Sequence, residues 1–405
     1  MSEKTGDPSA CTLPKGFRAA GVHCGIKKDP AQLDLALLVT DGPATATGVF
    51  TTNLVCGAPV KISRARLPRT TARAVVLNSG NANACTGARG DEDARWMTSE
   101  VARKIGCAAD DVLVCSTGVI GRFLPRERLS DGIPAVVGKL AASPRAFRDA
   151  ATAMMTTDTF PKLVTRTRKL AGVVVTVSGV AKGAAMIAPN MATMLSVLMT
   201  DAPLNPQQAA AALRHAVDRS FNCISVDGHM STSDTVLLLS ANTRGIGPLG
   251  PADHAQLQEM LDEAAAELAQ AIIRDAEGAS HFVTLDVRGL RTREEAFRIA
   301  KAIAESALVK TAIAGGDPNW GRIISAAGYA GVPLREEDMT LRLNGTLLYK
   351  SGAPVEFDAK AASQSIKSQR DVHIELDLPL GHESVRLWTS DLTAEYVRLN
   401  ADYTT

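Results

Sequence analysis

Aromatic residues make up only 4% of this 405-residue chain, too few to tile a base-stacking surface for single-stranded nucleic acid. Neither charge dominates: 44 Lys and Arg stand against 43 Asp and Glu, so no global field draws in a polyanion or an anionic lipid surface. The seven cysteines are scattered singly, with no C-x-x-C pair. That excludes a disulfide framework or a zinc site and suits the reduced thiols of a cytosolic protein. No apolar run reaches the roughly 18 residues of a membrane span, and Met1 to Lys15 lacks the apolar segment of a signal peptide. These absences predict a soluble cytoplasmic protein. Walker A, G-x-G-x-x-G, G-x-S-x-G and H-E-x-x-H signatures are all missing. The seven histidines stand apart from one another, so no metal centre is expected.

What remains is an ordinary globular composition, 45% hydrophobic and 21% charged, long enough for two or three cores. Ala72–Leu77 and Val112–Cys115 read as short strands, the second emptying into a loop Ser116-Thr117-Gly118-Val119-Ile120-Gly121. Asp91 to Ile105 reads as a helix begun by acids and ended by Gly106. The Val- and Thr-rich stretch Ala171–Val180 is a strand. From about Asp253 to Arg274 the spacing of Leu257, Met260, Leu261, Ala264, Ala265, Leu268 and Ile272 predicts the clearest helix. A further helix follows Thr292, whose Thr-x-x-Glu spacing is that of a capping box. Strands are expected at Phe282–Val287, Met339–Leu343, Val372–Leu376 and Ser384–Trp388. Strands and helices without strict alternation indicate an α+β layered fold, with a smaller C-terminal unit.

The most informative stretch is Lys182-Gly183-Ala184-Ala185-Met186-Ile187-Ala188-Pro189-Asn190-Met191-Ala192-Thr193-Met194-Leu195. It places a threonine after a small residue, between a basic Gly/Ala turn and an apolar segment. Cleavage of Ala192–Thr193 would leave Thr193 with a hydroxyl nucleophile and a free α-amine of pKa roughly 8, hence nucleophile and base on one residue. The same stretch also reads as a Met-rich buried segment. Other patches have two readings as well. Thr117-Gly118 is either a plain turn or a pair of donors for an oxyanion. Met155-Thr156-Thr157-Asp158-Thr159 either caps a helix or binds a carboxylate or amine. Ser231-Thr232-Ser233-Asp234-Thr235 suits a cap or strand entry. Gly316 to Arg322 is a rigid turn packed by Trp320 or an anion site on Arg322. Glu277 is a solvated residue or an acid that receives an ammonium, and the Arg398–Thr405 end is a loose tail or one folded over a pocket.

Together these pieces resemble the glutamate N-acetyltransferase/ornithine acetyltransferase family of arginine biosynthesis. The resemblance is carried by Ser116–Gly121, Met155–Thr159, Lys182–Leu195, Gly316–Arg322 and Asn400–Thr405, in that order along essentially the whole chain. It implies an αββα-type fold shared with self-processing aminopeptidases, and autocatalytic cleavage between Ala192 and Thr193. The products would be an α chain of residues 1–192 and a β chain of 193–405, with a C-terminal subdomain from about 281, in an α2β2 assembly. It further implies Thr193 as nucleophile, Thr117 and Gly118 as oxyanion hole, and Thr159, Lys182, Thr193, Glu277, Asn400 and Thr405 as substrate contacts. Thr156 and Thr157 are the alternatives to Thr159. The implied reaction moves an acetyl group from N2-acetylornithine to glutamate through acetyl-Thr193, with no metal or bound cofactor. Acetyl-CoA is a second donor if the enzyme is bifunctional. Two alternatives stay open: a self-processing aminopeptidase or amidase, and a non-enzymatic α/β binding protein. Ala185 departs from the family's Lys-Gly-x-Gly-Met pattern, and His229 stands where an acidic residue is expected.

Overall fold

The structure is a computed structural model that describes residues 11–188 and 194–402. Ala192, Thr193 and Thr405 therefore lie outside the described residues. The first half runs β1 (Phe17–Val22), β2 (Leu35–Phe50), α1 (Ala58–Arg66), β3 (Arg69–Asn81), α2 (Gly87–Ile105) and β4 (Val112–Val119). It continues through α3 (Arg126–Gly138), α4 (Pro144–Met154), β5 (Lys162–Leu170) and β6 (Val173–Lys182). Then come β7 (Leu195–Thr200), α5 (Pro206–Asp218), β8 (Ile224–Ser225), β9 (Thr235–Ser240) and α6 (Pro251–Arg274). The last third is β10 (Phe282–Leu290), α7 (Arg293–Glu305), α8 (Ala307–Gly315), α9 (Trp320–Gly328), β11 (Thr340–Leu343), β12 (Thr346–Lys350) and β13 (Ala353–Pro354). It closes with α10 (Ala359–Lys367), β14 (Asp371–Asp377), β15 (Glu383–Ser390) and α11 (Ala394–Asp402).

An eight-stranded sheet has the order β4-β3-β2-β9-β7-β6-β5, with β1 also paired to β2. The long β2 serves both parts of it. Its N-terminal half pairs with β1 and β3, and its Thr45–Phe50 half pairs with β9 after register shifts near Ala44. The sheet thereby folds over itself. Leu38, Val75, Leu77 and Leu113 of β2, β3 and β4 share one buried cluster with Val180, Val197 and Leu237 of β6, β7 and β9. Phe147, Ala150 and Met154 of α4 complete that inner core. Because strand side chains alternate, Leu35, Leu37 and Val39 point the other way, into a cluster with Met97 and Val101 of α2 and Leu129 and Ile133 of α3. On the opposite outer face, α5 and α6 cover β5, β6 and β9 through Leu213, Leu257, Leu261 and Leu268. The result is an αββα sandwich.

A second, seven-stranded sheet, β13-β12-β11-β14-β10-β15-β8, continues the α6 core through Leu285, Val287, Leu341 and Leu387. It is covered by α7 and α9. α6 starts as its sequence dictates, with Pro251 in the first turn and Asp253 beside the N-terminal dipole.

Four local expectations need correction. β4 does not stop at Cys115: parallel pairing with β3 carries it to Val119, Ser116 opposite Asn78 and Thr117 opposite Ser79. Its polar side chains are satisfied there, Ser116 Oγ donating to Asn78 Oδ1 at 2.6 Å. α2 begins at Gly87, so the acids lie in its second turn, and buried Asp93 pairs with Arg126. The Val-rich strand starts at Val173, after a left-handed turn at Ala171 and Gly172. Only half of the capping box forms: Thr292 Oγ1 accepts the Glu295 N–H at 3.2 Å, while Glu295 turns to Arg291.

Leu268, 1% exposed, fills the space above Gly179 of β6. Leu268→Ala is expected to cost about 2–5 kcal/mol, read as a lower denaturant midpoint with an unchanged slope.

Candidate functional site

The two layers of the folded sheet end together. β4 delivers Thr117 and Gly118, and β6 delivers Lys182. Gly118 has φ +124°, and a Cβ there would sit 2.4 Å from the Gly80 carbonyl carbon and 2.6 Å from the Asn81 nitrogen. Only glycine lets β3 and β4 approach this closely while the strand turns toward the cavity.

Lys182 is buried, 3% exposed. Its ammonium donates to Thr156 Oγ1 at 2.8 Å and to Thr117 Oγ1 at 3.3 Å. Each oxygen accepts, so each hydroxyl proton is left to donate elsewhere. Burial pushes the Lys182 ammonium below its ordinary pKa, opposed first by the Asp158 carboxylate and reinforced by Lys162. Thr156, not Thr159, therefore meets Lys182. Thr159 turns away: its N–H donates to Asp275 Oδ2 at 2.9 Å and its hydroxyl to Asp275 Oδ1.

β6 and β7 are antiparallel neighbours, with Lys182 opposite Leu195. The connecting segment thus leaves and re-enters the sheet at one point. Its leading part is held by Asp227, whose carboxylate accepts the Met186 N–H (2.6 Å), the Ile187 N–H (2.9 Å), the His229 N–H (3.1 Å) and the Tyr396 hydroxyl (3.1 Å). Its trailing part is held by Asp234, whose Oδ1 accepts the Met194 N–H at 3.1 Å. Burial pushes the Asp234 carboxyl well above the usual carboxylate range, and the Met194 N–H only partly offsets this. Ala185 causes no strain, because the left-handed positions of this turn are Gly183 and Met186.

A cavity of about 320 Å³ opens between these elements. Its walls include Thr117, Gly118, Thr156, Thr157, Lys182, Asp227, His229, Glu277, Tyr396 and Asn400. Glu277 follows α6 and is tied to the junction segment by its N–H, which donates to the Ala184 carbonyl at 3.0 Å. Asn400 of α11 donates to Glu277 Oε2 at 3.1 Å. Five of the predicted site residues (Thr117, Gly118, Lys182, Glu277 and Asn400) thus meet in one cavity, and Thr159 stays outside its wall. Tyr396 escaped the sequence reading; an aromatic four residues before Asn400 on a helix is the signal that could have found it.

Two other motifs do not reach the cavity. Arg322 donates to the Leu308 carbonyl at 2.8 Å, Asn319 caps α9, and Trp320 stacks on Tyr349 with centroids 5.4 Å apart. Gly316 to Arg322 is therefore a rigid turn. Asp286, His373 and Glu375 place one ligand atom each within 4.8 Å of the others, a proximity made by parallel β10 and β14 that linear spacing hides. Arg386 and Arg288 already hold Asp286. No helix among the described residues is long and apolar enough to cross a membrane.

Chemically, the site offers two hydroxyls oriented by an ammonium, an N–H at a strand end, and a carboxylate–amide pair opposite. That set suits an α-amino acid derivative whose carbonyl oxygen becomes an oxyanion.

Known proteins resemble the chain over most of its length. The ArgJ family model matches residues 18–405. The arginine biosynthesis bifunctional protein ArgJ of Rhodopirellula baltica is 45% identical over 403 residues, covering 98% of each chain. Its counterpart in Geobacter sulfurreducens is 46% identical over 393 residues, covering 96% of this chain and 99% of the relative. A crystal structure of arginine biosynthesis bifunctional protein ArgJ from Bacillus halodurans superposes with a TM-score of 0.50 at 37% identity, covering 52% of this chain and 100% of that chain.

Gly118→Ala is expected to lower stability by about 1–3 kcal/mol, because the new Cβ strikes backbone at a positive φ. Gly106→Ala, also at positive φ but with nothing within 4 Å, is expected to cost less. Parallel chemical denaturation of both variants checks the order.

Proposed function

The chain belongs to the ArgJ family, and from that premise we propose that it is an acyltransferase carrying an acetyl group from N2-acetylornithine to glutamate. The observation that carries this reading is the meeting of Thr117, Gly118 and Lys182 at the point where the segment containing Thr193 leaves and re-enters the sheet. In the proposed maturation, the Thr193 hydroxyl attacks the Ala192 carbonyl, the peptide C–N bond breaks, and water hydrolyses the ester. Residues 1–192 and 193–405 then form α and β chains, and Thr193 gains a free α-amine. The full-length match of the Bacillus halodurans chain to about half of this one supports a two-chain form.

In turnover, the α-amine takes the Thr193 hydroxyl proton as Oγ attacks the acetyl carbonyl. The Thr117 hydroxyl, its oxygen already accepting from Lys182, donates its proton to the oxyanion together with the Gly118 N–H. Collapse breaks the amide C–N bond, and ornithine leaves with the proton on its amine. The amine of glutamate then attacks the acetyl ester, and Thr193 Oγ recovers its proton. Donor and acceptor share an α-carboxylate, which the free donors around Lys182, including the Thr156 hydroxyl, suit better than Thr159 does. Glu277 and Asn400 would receive the remaining polar groups of the amino acid. Acetyl-CoA would serve as a second donor to Thr193, and the assembly would be α2β2.

Cleavage would not separate the halves, since β2 pairs with β9 and β6 with β7 across the proposed break. Purified wild-type protein is expected to give two masses under denaturing conditions, one ending at Ala192 and one starting at Thr193, and a single native particle. Thr193→Ala is expected to stay in one piece and to transfer no acetyl group. Thr117→Val is expected to lower kcat about 10²–10³-fold in an acetylornithine–glutamate assay. An intact, active wild-type chain would sink the reading; release of free acetate without glutamate dependence would make it a hydrolase.

A further inference from the structure

Lys162 carries a charge where charges are seldom found. Lys162 is essentially without solvent contact, and its ammonium lies 2.6 Å from Asp158 Oδ1 and 2.6 Å from Asp275 Oδ2. Pairs this deeply buried often contribute little net stability, because desolvation offsets the attraction. Docking α6 therefore does not by itself account for the cluster. Asp158 has other partners. Its Oδ2 accepts the Thr156 N–H at 3.0 Å, and its Oδ1 accepts the Gly183 N–H at 2.6 Å. These two amides flank the Thr156–Lys182 hydrogen bond: one belongs to Thr156, the other follows Lys182. A single carboxylate thus grips both ends of the contact that orients the cavity hydroxyls.

Lys182 needs that neighbour. The charged groups facing it are the carboxylates of Asp158, Asp234 and Glu277, the ammonium of Lys162, and more distantly that of Lys27. Lys27 is fixed elsewhere, donating to the Leu33 and Met155 carbonyls. Burial disfavours the Lys182 cation, and among the carboxylates Asp158 opposes this most. Asp158 itself is held well below the usual carboxylate range: burial acts against it, but Lys162, Lys182 and the Gly183 N–H outweigh burial. The Asp158 charge is thus permanent near neutrality.

We propose that Asp158 is a positioning residue for the reaction, holding Lys182 against Thr156 and Thr117 and keeping that ammonium charged so that both hydroxyl protons face the substrate. Lys162 and Asp275 hold Asp158 in turn. Without the Asp158 charge, Lys182 would lose its proton at lower pH. A neutral amine can accept a proton from Thr117, turning the hydroxyl away from the oxyanion.

The test is an NMR pH titration of Lys182 Nζ in the purified full-length protein carrying isotopically labelled lysine. Asp158→Asn is expected to lower the Lys182 midpoint by about one to three units. Asp158→Glu, which keeps the charge, is expected to leave it near the wild-type value. Asp275→Asn, which takes the second carboxylate from Lys162 and weakens the Thr159 contacts but leaves Asp158 charged, is expected to reduce stability with little effect on Lys182. An unmoved midpoint in Asp158→Asn, or an equal shift in Asp275→Asn, would overturn the proposal and leave the cluster as a strut. If the amide variant does not fold, Asp158→Glu decides alone: a midpoint lowered by a unit or more contradicts the role.

The kinetic consequence rests on the proposed acetyl transfer. In Asp158→Asn, KM for both amino-acid substrates is expected to climb with pH at lower pH than in the wild type. The titration itself needs no turnover, so failure of the acetyl-transfer reading and failure of this assignment are separate results.

Discussion

Pairing of β6 with β7 sets Lys182 opposite Leu195, and the site depends on that register. A strand pair cannot slip by one residue without exchanging its two faces, and from Val175 onward β6, like all of β7, is buried on both faces. The junction segment therefore has fixed ends, and Asp227 and Asp234 hold the residues just inside them. The fold in β2 brings the second requirement, since it lays the β4 end carrying Thr117 and Gly118 over the β6 end carrying Lys182. Neither layer alone would assemble the cavity.

The cavity wall mixes signs deliberately placed by backbone geometry. Lys182 is buried behind two hydroxyls, while Asp227 and Glu277 lie toward α11. A wall of this kind can present donors to a carboxylate on one side and acceptors to an ammonium on the other, the two groups every α-amino acid carries. α11 itself has no buried residue and meets the cavity through Tyr396 and Asn400, with half-buried Tyr396 also packed against the α6 core.

Legibility of the sequence varied with the range of the interaction. The Val-rich β6 and the apolar stripe of α6 were readable because each is decided by neighbours three or four residues away at most. β4 was cut short, since Ser-Thr-Gly suggests a turn and only the parallel partner β3 keeps it extended. Three hydroxyls in one loop look alike in sequence, so nothing there separates Thr159 from Thr156; Asp158 and Asp275, 117 positions apart in the chain, decide which one faces Lys182. Lys162 gives no sign of its role for the same reason: its partner Asp275 lies 113 residues away. The Thr117, Gly118, Lys182, Glu277 and Asn400 assignments came from the family resemblance, and the fold brings them to one cavity.

The most direct measurement of the central claim is mass spectrometry of the protein quenched after mixing with N2-acetylornithine and no glutamate. The account predicts one added acetyl group on the fragment that begins at Thr193, mapped to that residue and lost on adding glutamate. Absence of acetylated Thr193 under these conditions, in protein that does form N-acetylglutamate once glutamate is added, would contradict it.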